Sequence, residues 1–199
     1  MINKVVLPKT LQELSITNRG AYPIERWSGA VCMLVVEDLL VFIKRSDSMP
    51  SHKGQIGFMG GHKHDGEIDP IVTALRELHE EANILADQVE VIGIVDPVFT
   101  SHKKIVIPVL CKFKGSSADF FRDLVANEEW DEMILTPLEY LANVDNWQIA
   151  KVHEGDQRLI GFCPLRSQNS IVYPKSTAAE FLLWGASAKM VWNFFNCYE

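Results

Sequence analysis

The segment DPIVTALRELHEEANI (69–84) constrains this chain more than any other. Asp69 followed by Pro70 is a helix start: the aspartate side chain caps the orphaned N–H groups, and proline suits the first helical position. The spacing predicts a helix running to about Ala82. Ile71, Leu75, Leu78 and Ala82 form an apolar stripe along it, so the helix must pack on another element. At 100° per residue, Glu77, Glu80 and Glu81 share an arc of roughly 100° on a different side. Like charges one turn apart cost roughly a few tenths of a kcal/mol per pair. A helix that packs on one side and gathers three carboxylates on another is expected to aim them into a cleft.

The elements around that helix read as a mixed α/β layer arrangement. GAVCMLVVE (29–37) and LLVFIKR (39–45) are two strands meeting at Glu37-Asp38. A long glycine-containing stretch follows, with one short strand at Gln55–Phe58, and loops of this length in a compact domain are usually functional. QVEVIGIVD (88–96) and KKIVIPVLCKF (103–113) are apolar strands, with helical patches near 118–126 and 137–142 and strand around 147–153 and 158–163. Apolar residues recur at helical spacing across 177–195, which predicts a packed C-terminal helix there. No repeat or linker divides the chain, so one domain over 1–199 is expected.

Composition narrows the function classes. A net charge of −7 argues against a nucleic-acid binder, which would carry a basic stripe. An anionic small molecule is compatible with it, provided a divalent cation or a local basic patch offsets the field. Cys32, Cys111, Cys163 and Cys197 are far apart with no C-x-x-C pair, and are expected to be reduced thiols. The first residues lack a long apolar stretch and no window approaches a membrane span, so a cytoplasmic protein with no membrane or nucleic-acid partner is expected.

Three clustered carboxylates are hard oxygen ligands, suited to Mg²⁺ or Mn²⁺ and through them to phosphate oxygens. Arg76 is placed to pair with a neighbouring carboxylate. Gly60-Gly61 allows the backbone to approach a metal or phosphate with no Cβ between them.

Gly61, Glu67, Arg76, Glu77, Glu80 and Glu81 together resemble the Nudix box, G-x5-E-x7-R-E-U-x-E-E-x-G-U with U a bulky apolar residue. The resemblance spans about 60–84. It implies a Nudix fold, an α/β/α sandwich with a mixed β-sheet and a catalytic loop-helix-loop, that hydrolyses a diphosphate linked to another moiety with Mg²⁺ or Mn²⁺. Carried over, it makes Glu77, Glu80 and Glu81 metal ligands, joined by the Gly61 carbonyl, and gives Arg76 the task of orienting a glutamate. Two positions depart from the pattern. Eight residues rather than seven separate Glu67 from Arg76, which leaves Glu67 and Asp69 as alternatives for the first acidic position. Asn83 stands where the box ends in glycine, a mild change because asparagine tolerates the left-handed region.

The stretch before the box, VFIKRSDSMPSHKGQIGFMGG (41–61), is similar to the signature preceding the box in coenzyme A pyrophosphatases. Arg45, Ser46, His52, Gly54, Gln55, Phe58, Gly60 and Gly61 match in register, whereas Pro50 and Met59 depart. DPVFTSHKKIVIPVL (96–110) and LLWGASAK (182–189) are similar to later parts of that family. The resemblance implies hydrolysis of coenzyme A or a derivative to adenosine 3′,5′-bisphosphate and (acyl-)phosphopantetheine. Arg45, His52, Lys53, Phe58 and Gly60 are the expected substrate-binding residues. The general base is a box glutamate or Glu129. A Nudix diphosphatase for ADP-ribose, nucleotide sugars or damaged nucleotides is the alternative enzyme, and a Nudix-fold ligand sensor the non-catalytic one. A monomer or homodimer is expected.

Overall fold

The computed structural model describes residues 27–100, 104–125, 127–151 and 159–196. Its frame is a mixed sheet with the strand order β11-β8-β2-β1-β7-β5. In chain order the strands are β1 (Gly29–Val36), β2 (Leu39–Arg45), β3 (Ile56–Gly57), β4 (Met59–His62), β5 (Val89–Ile94), β6 (Val98–Phe99), β7 (Ile105–Phe113), β8 (Trp130–Pro137), β9 (Gln148–Lys151), β10 (Leu159–Arg166), β11 (Ile171–Tyr173) and β12 (Glu180–Trp184). The helices are α1 (Pro70–Ala82), α2 (Ser117–Asp123), α3 (Leu138–Ala142) and α4 (Gly185–Asn196). Strands β1 and β7 run parallel, while β1–β2, β1–β4, β2–β8 and β5–β7 are antiparallel. Strands β12, β10 and β9 form a separate three-stranded sheet.

Alternation along β1 and β2 explains the layers. Ala30, Cys32, Leu34 and Val36 of β1, with Val41 and Ile43 of β2, join the core under α1 around Ala74, Leu78 and Ala82. Met33, Val35, Leu40 and Phe42 point the other way, into a second core with Cys163, Leu165, Phe181, Leu183 and the α4 residues Met190, Val191 and Phe194. Both faces of the central strands are therefore covered, which is why these strands read as near-continuous apolar runs. The result is the expected α/β/α sandwich. Cys32, Cys111 and Cys163 are buried and free, while Cys197 lies outside the described residues. Among the described residues no helix is long and apolar enough to cross a membrane.

The expected elements recur with small boundary changes, and residues 103, 126, 152, 153 and 158 of expected elements lie outside the described residues. The C-terminal segment differs. Instead of one helix over 177–195, Glu180–Trp184 is a strand and only Gly185–Asn196 is helical. Phe181 and Leu183 face the core while Leu182 and Trp184 are exposed, a period of two that suits a strand. Gly185, at φ +66°, turns the chain from strand into helix. The short strands β4 and β11 were not expected either, because three or four residues are too few to display a period.

This pattern sets a test of β12. Phe181→Ala and Leu183→Ala should each destabilise the fold by about 2–5 kcal/mol in urea titrations, whereas Leu182→Ala should change it by less than about 0.5 kcal/mol.

Candidate active site

Helix α1 begins as the sequence requires. Asp69 is the N-cap, its carboxylate accepting the Ile71 N–H at 2.9 Å, with Pro70 next. It ends at Asn83, which adopts φ 58° and ψ 26° and donates its N–H to the His79 carbonyl at 2.9 Å. Asparagine thus fills the left-handed position that the box assigns to glycine.

Between these ends, Arg76 organises the acidic residues. Its Nε donates to Glu67 Oε1 at 2.9 Å, and Nη1 donates to Glu77 Oε1 at 2.8 Å and to Glu80 Oε2 at 2.9 Å. Its Nη2 donates to the His62 carbonyl at 3.0 Å. Glu67 also accepts from the Thr73 hydroxyl and from the His64 N–H at 2.8 Å. Arg76 first, then Thr73 and His64, hold the Glu67 carboxyl down to about 2 despite some desolvation. The residue facing Arg76 is therefore Glu67, while Asp69 is occupied by the cap. The extra residue between Glu67 and Arg76 is absorbed in the loop ahead of the helix.

Glu81 differs from its neighbours. The arc reading put all three glutamates away from the apolar stripe, but Glu81 is 1% exposed and lies with Leu78 and Ala82 on the packed side. The cover comes from β4, where the Gly60 N–H donates to Glu81 Oε2 at 3.2 Å. Burial, then the charges of Glu129 and Glu77, push the Glu81 carboxyl up to about 8, against the opposing effects of Arg45 and the Gly60 amide. Burial also raises Glu77, with Arg76 opposing. A carboxyl this resistant to ionisation marks a place where positive charge is lacking.

The segment entering β8 closes the other side. Trp130 Nε1 donates to the Glu81 carbonyl at 2.7 Å and Asn127 Nδ2 to the Glu80 carbonyl at 3.2 Å. The Glu129 N–H bonds Asn127 Oδ1 at 2.8 Å, and the Glu129 carbonyl accepts the Ser46 N–H at 2.9 Å. Half-buried Glu129 is thereby fixed near Glu81. Arg45 pairs with Trp130 at an irregular step between β2 and β8, close enough for its charge to act on Glu81. Its buried Nε has no hydrogen-bond partner among the described residues.

Other expected site residues lie elsewhere. Phe58 is 5% exposed and packs on Phe42 with ring centroids 5.0 Å apart, in the core on the α4 side. In this structure it makes core packing contacts. His52 and Lys53 are exposed, and His52 Nδ1 lies 2.9 Å from Gln55 Oε1. Among the described residues no contact ties either to the carboxylates. The Gly61 carbonyl is turned toward β1, where only a glycine at position 29 leaves room for it. Gly61 contributes differently from the expected ligand: a Cβ on it would overlap the Glu77 carboxylate. Trp130, Asn127, Thr73 and His62 were missed by sequence reasoning. Only Thr73 carried a signal, lying three residues before Arg76 on the same helix face.

The donor set suits a hard divalent cation in kind. Carboxylate oxygens of Glu77 and Glu81 lie at the Cβ-free Gly60–Gly61 backbone, with the negative charges of Glu77 and Glu129 beside buried Glu81. Among the described residues no three such groups converge on one point. Glu77 and Glu80 instead share Arg76 Nη1.

A sheet sandwiched by helices, with this loop-helix site on β4 and α1, defines a class. Residues 26–153 match the NUDIX domain model, and the chain belongs to the Nudix family. Nudix hydrolases generally use divalent ions such as Mg²⁺ or Mn²⁺. The human mitochondrial coenzyme A diphosphatase NUDT8 is 32% identical over 111 residues, 56% of this chain and 46% of the relative. The mouse peroxisomal coenzyme A diphosphatase NUDT7 is 27% identical over 124 residues, 62% of this chain and 51% of the relative. The chain spans about half the length of these two relatives. A Nudix hydrolase, NudL, of Yersinia enterocolitica is 34% identical over 175 residues, 86% of this chain and 82% of the relative.

The Glu67–Arg76 pair makes a prediction about acid stability. A carboxyl held at about 2 in the fold and at its ordinary 4.5 when unfolded stabilises fully above 4.5. That contribution is lost as pH falls from 4.5 towards 2. Urea midpoints of the wild type should therefore fall through that window more steeply than those of Glu67→Gln. Parallel curves would show that the pair does not contribute.

Proposed function

We propose that this chain hydrolyses the diphosphate bond of coenzyme A or its derivatives, giving adenosine 3′,5′-bisphosphate and (acyl-)phosphopantetheine. The observation carrying this reading is the join between two regions. The Arg45–Gly61 segment, similar to the coenzyme A pyrophosphatase signature, leads directly onto the carboxylates of α1 through the Gly60–Glu81 hydrogen bond. The names of the human and mouse relatives support the same substrate.

In this reading Glu77, Glu80 and Glu81 hold Mg²⁺ or Mn²⁺. When bound, the cation supplies neutralisation of the diphosphate oxygens and a more acidic water. The chain's own residues do the rest. Arg76 fixes the rotamers of Glu77 and Glu80 and ties the loop to the helix. Glu129, held beside Glu81, takes the proton as water attacks phosphorus and the bridging P–O bond breaks. Arg45, with an unpartnered Nε, offers positive charge to the phosphate oxygens. Small-molecule work of this kind needs neither a nucleic-acid nor a membrane partner.

Met59, which departs from the coenzyme A pyrophosphatase signature as Pro50 does, is fully buried in the core under α1, a place that speaks for packing rather than for an ADP-ribose or nucleotide-sugar substrate. Retention of a buried, charge-burdened Glu81 likewise speaks for catalysis over a ligand sensor, because an apolar residue there would remove its desolvation cost.

Two measurements test the proposal. With Mg²⁺ or Mn²⁺ and a panel of coenzyme A, ADP-ribose and nucleotide sugars, coenzyme A should be the substrate cleaved best, with both products identified by mass. Cleavage of ADP-ribose with coenzyme A untouched would refute it. Glu81→Gln should lower turnover at least about a hundredfold, the equivalent of a few kcal/mol of charge stabilisation. Mn²⁺ should raise the wild-type Tm, and this shift should vanish in the Glu77→Gln/Glu81→Gln variant.

A further inference from the structure

The C-terminal end of α1 is completed by residues from another part of the chain. A helix leaves its last four carbonyls without intrahelical partners. In α1 these belong to His79, Glu80, Glu81 and Ala82. His79 is served locally, by the Asn83 N–H at 2.9 Å. The others are served by the segment linking α2 to β8. Asn127 Nδ2 donates to the Glu80 carbonyl at 3.2 Å, Trp130 Nε1 to that of Glu81 at 2.7 Å, and the Val125 N–H to that of Ala82 at 3.4 Å. Asn83 Nδ2 returns a bond to the Asp123 carbonyl at 3.4 Å. The end of the catalytic helix and the α2–β8 segment are therefore one hydrogen-bonded unit.

Within that unit Asn127 faces both ways. Its amide donor goes to Glu80 on the helix, and its amide oxygen accepts the Glu129 N–H at 2.8 Å. Glu129 itself lies between α2 and β8 and belongs to neither, so no helix or ladder fixes it. Its carbonyl accepts the Ser46 N–H at 2.9 Å, which pins the peptide that follows it. The Asn127 bond pins the peptide that precedes it. With both peptide planes held, the direction of the Glu129 Cα–Cβ bond is set, and the Asn127 amide refers that direction to α1. The Glu129 charge acts on both Glu77 and Glu81, so the residue stands opposite the carboxylates of the helix.

We propose that Asn127 is a positioning residue for hydrolysis, its amide holding Glu129 at a fixed reach from the carboxylates of α1. This rests on the reading above, in which Glu129 takes the proton of the attacking water. A base acts from within hydrogen-bond reach of that proton, about 2.6–3.2 Å between heavy atoms. Misplacement by about 1 Å can cost about a hundredfold in rate. Asn127 acts through Glu129 and not on the substrate. Its loss therefore lowers kcat and leaves KM in place.

The test is a double-mutant cycle on the diphosphate that the wild type cleaves best. Values of kcat and KM are measured for Asn127→Ala, Glu129→Gln and the two combined. Asn127→Ala should lower kcat about tenfold or more while KM stays within about twofold. In the Glu129→Gln background the same replacement should cost nothing further, because the side chain it positions no longer takes a proton. Asn127→Ser keeps an acceptor for the Glu129 N–H but lacks the fork that also reaches Glu80, and should lose activity as Asn127→Ala does. Asn127 is half-buried in a loop, so both replacements should leave the fold intact, which urea titration checks. Unchanged kcat in Asn127→Ala, a loss carried by KM, or full activity in Asn127→Ser would each overturn the proposal. So would losses that multiply in the double variant, which would assign the effect to the end of α1 and not to Glu129. Wild-type kcat in Glu129→Gln, or no diphosphate cleaved at all, would refute the catalytic reading on which the proposal rests. A defective Glu129→Gln beside an indifferent Asn127→Ala would refute the positioning alone.

Discussion

A single guanidinium holds the site together. Arg76 reaches Glu77 and Glu80 on its own helix, Glu67 in the preceding loop and the His62 carbonyl at the end of β4. Without a cation between them, the glutamates of α1 would repel each other and the loop would have no fixed distance from the helix. The planar fork makes both attachments at once, which a lysine could not. The pairing of β4 with β1 sets the Gly60–Gly61 backbone beside α1, and Arg76 adds a tie from the helix to the end of that strand. Because Nε, Nη1 and Nη2 all have partners within the protein, Arg76 acts as a structural clamp and has little left to offer a ligand.

Burial of Glu81 is the main strain in this arrangement. An ionised carboxylate under Gly60 and against Leu78 loses hydration, and Glu77 and Glu129 add repulsion. One backbone N–H and the more distant Arg45 compensate it only in part. A purely structural helix would place alanine or leucine there, as it does at Leu78 and Ala82. A carboxylate kept at such a cost has a use when a cation is present. The two glycines fit the same logic: Gly61 leaves the space into which the Glu77 carboxylate fits, and Gly60 brings an amide to Glu81.

Much of this was legible in the sequence because it is local. The Asp69 cap, the Asn83 end, the apolar stripe and the Arg76–glutamate spacing all lie within one helix, where three- and four-residue separations translate directly into contacts. The central strands were legible because burial on both faces gives long apolar runs. What was hidden depends on chain segments distant in sequence. Glu81 looks like Glu80 until β4 is laid over it. Glu67 and Asp69 are indistinguishable until one is seen to cap the helix. Phe58 sits in a signature that suggests ligand contact, yet pairs with Phe42. The stretch 177–195 misled because Phe181, Leu183 and the apolar residues of α4 together satisfy a helical period, and the φ +66° of Gly185 that separates strand from helix leaves no periodic trace.

The cations near the site divide by what already holds them. Arg76 is saturated by carboxylates and a carbonyl, so its charge is neutralised from within. Among the described residues Arg45 Nε has no hydrogen-bond partner, Lys104 meets the His62 imidazole and Lys63 lies over the Trp27 ring. A polyanion approaching a protein of net charge −7 meets repulsion at long range, screened beyond roughly 8 Å at physiological salt. The acidic residues come from α1, the loop before it and the segment entering β8, whereas these cations come from β2, the β4 edge and the start of β7. Those segments are distant in sequence, and the sheet order β2-β1-β7 sets where each lies.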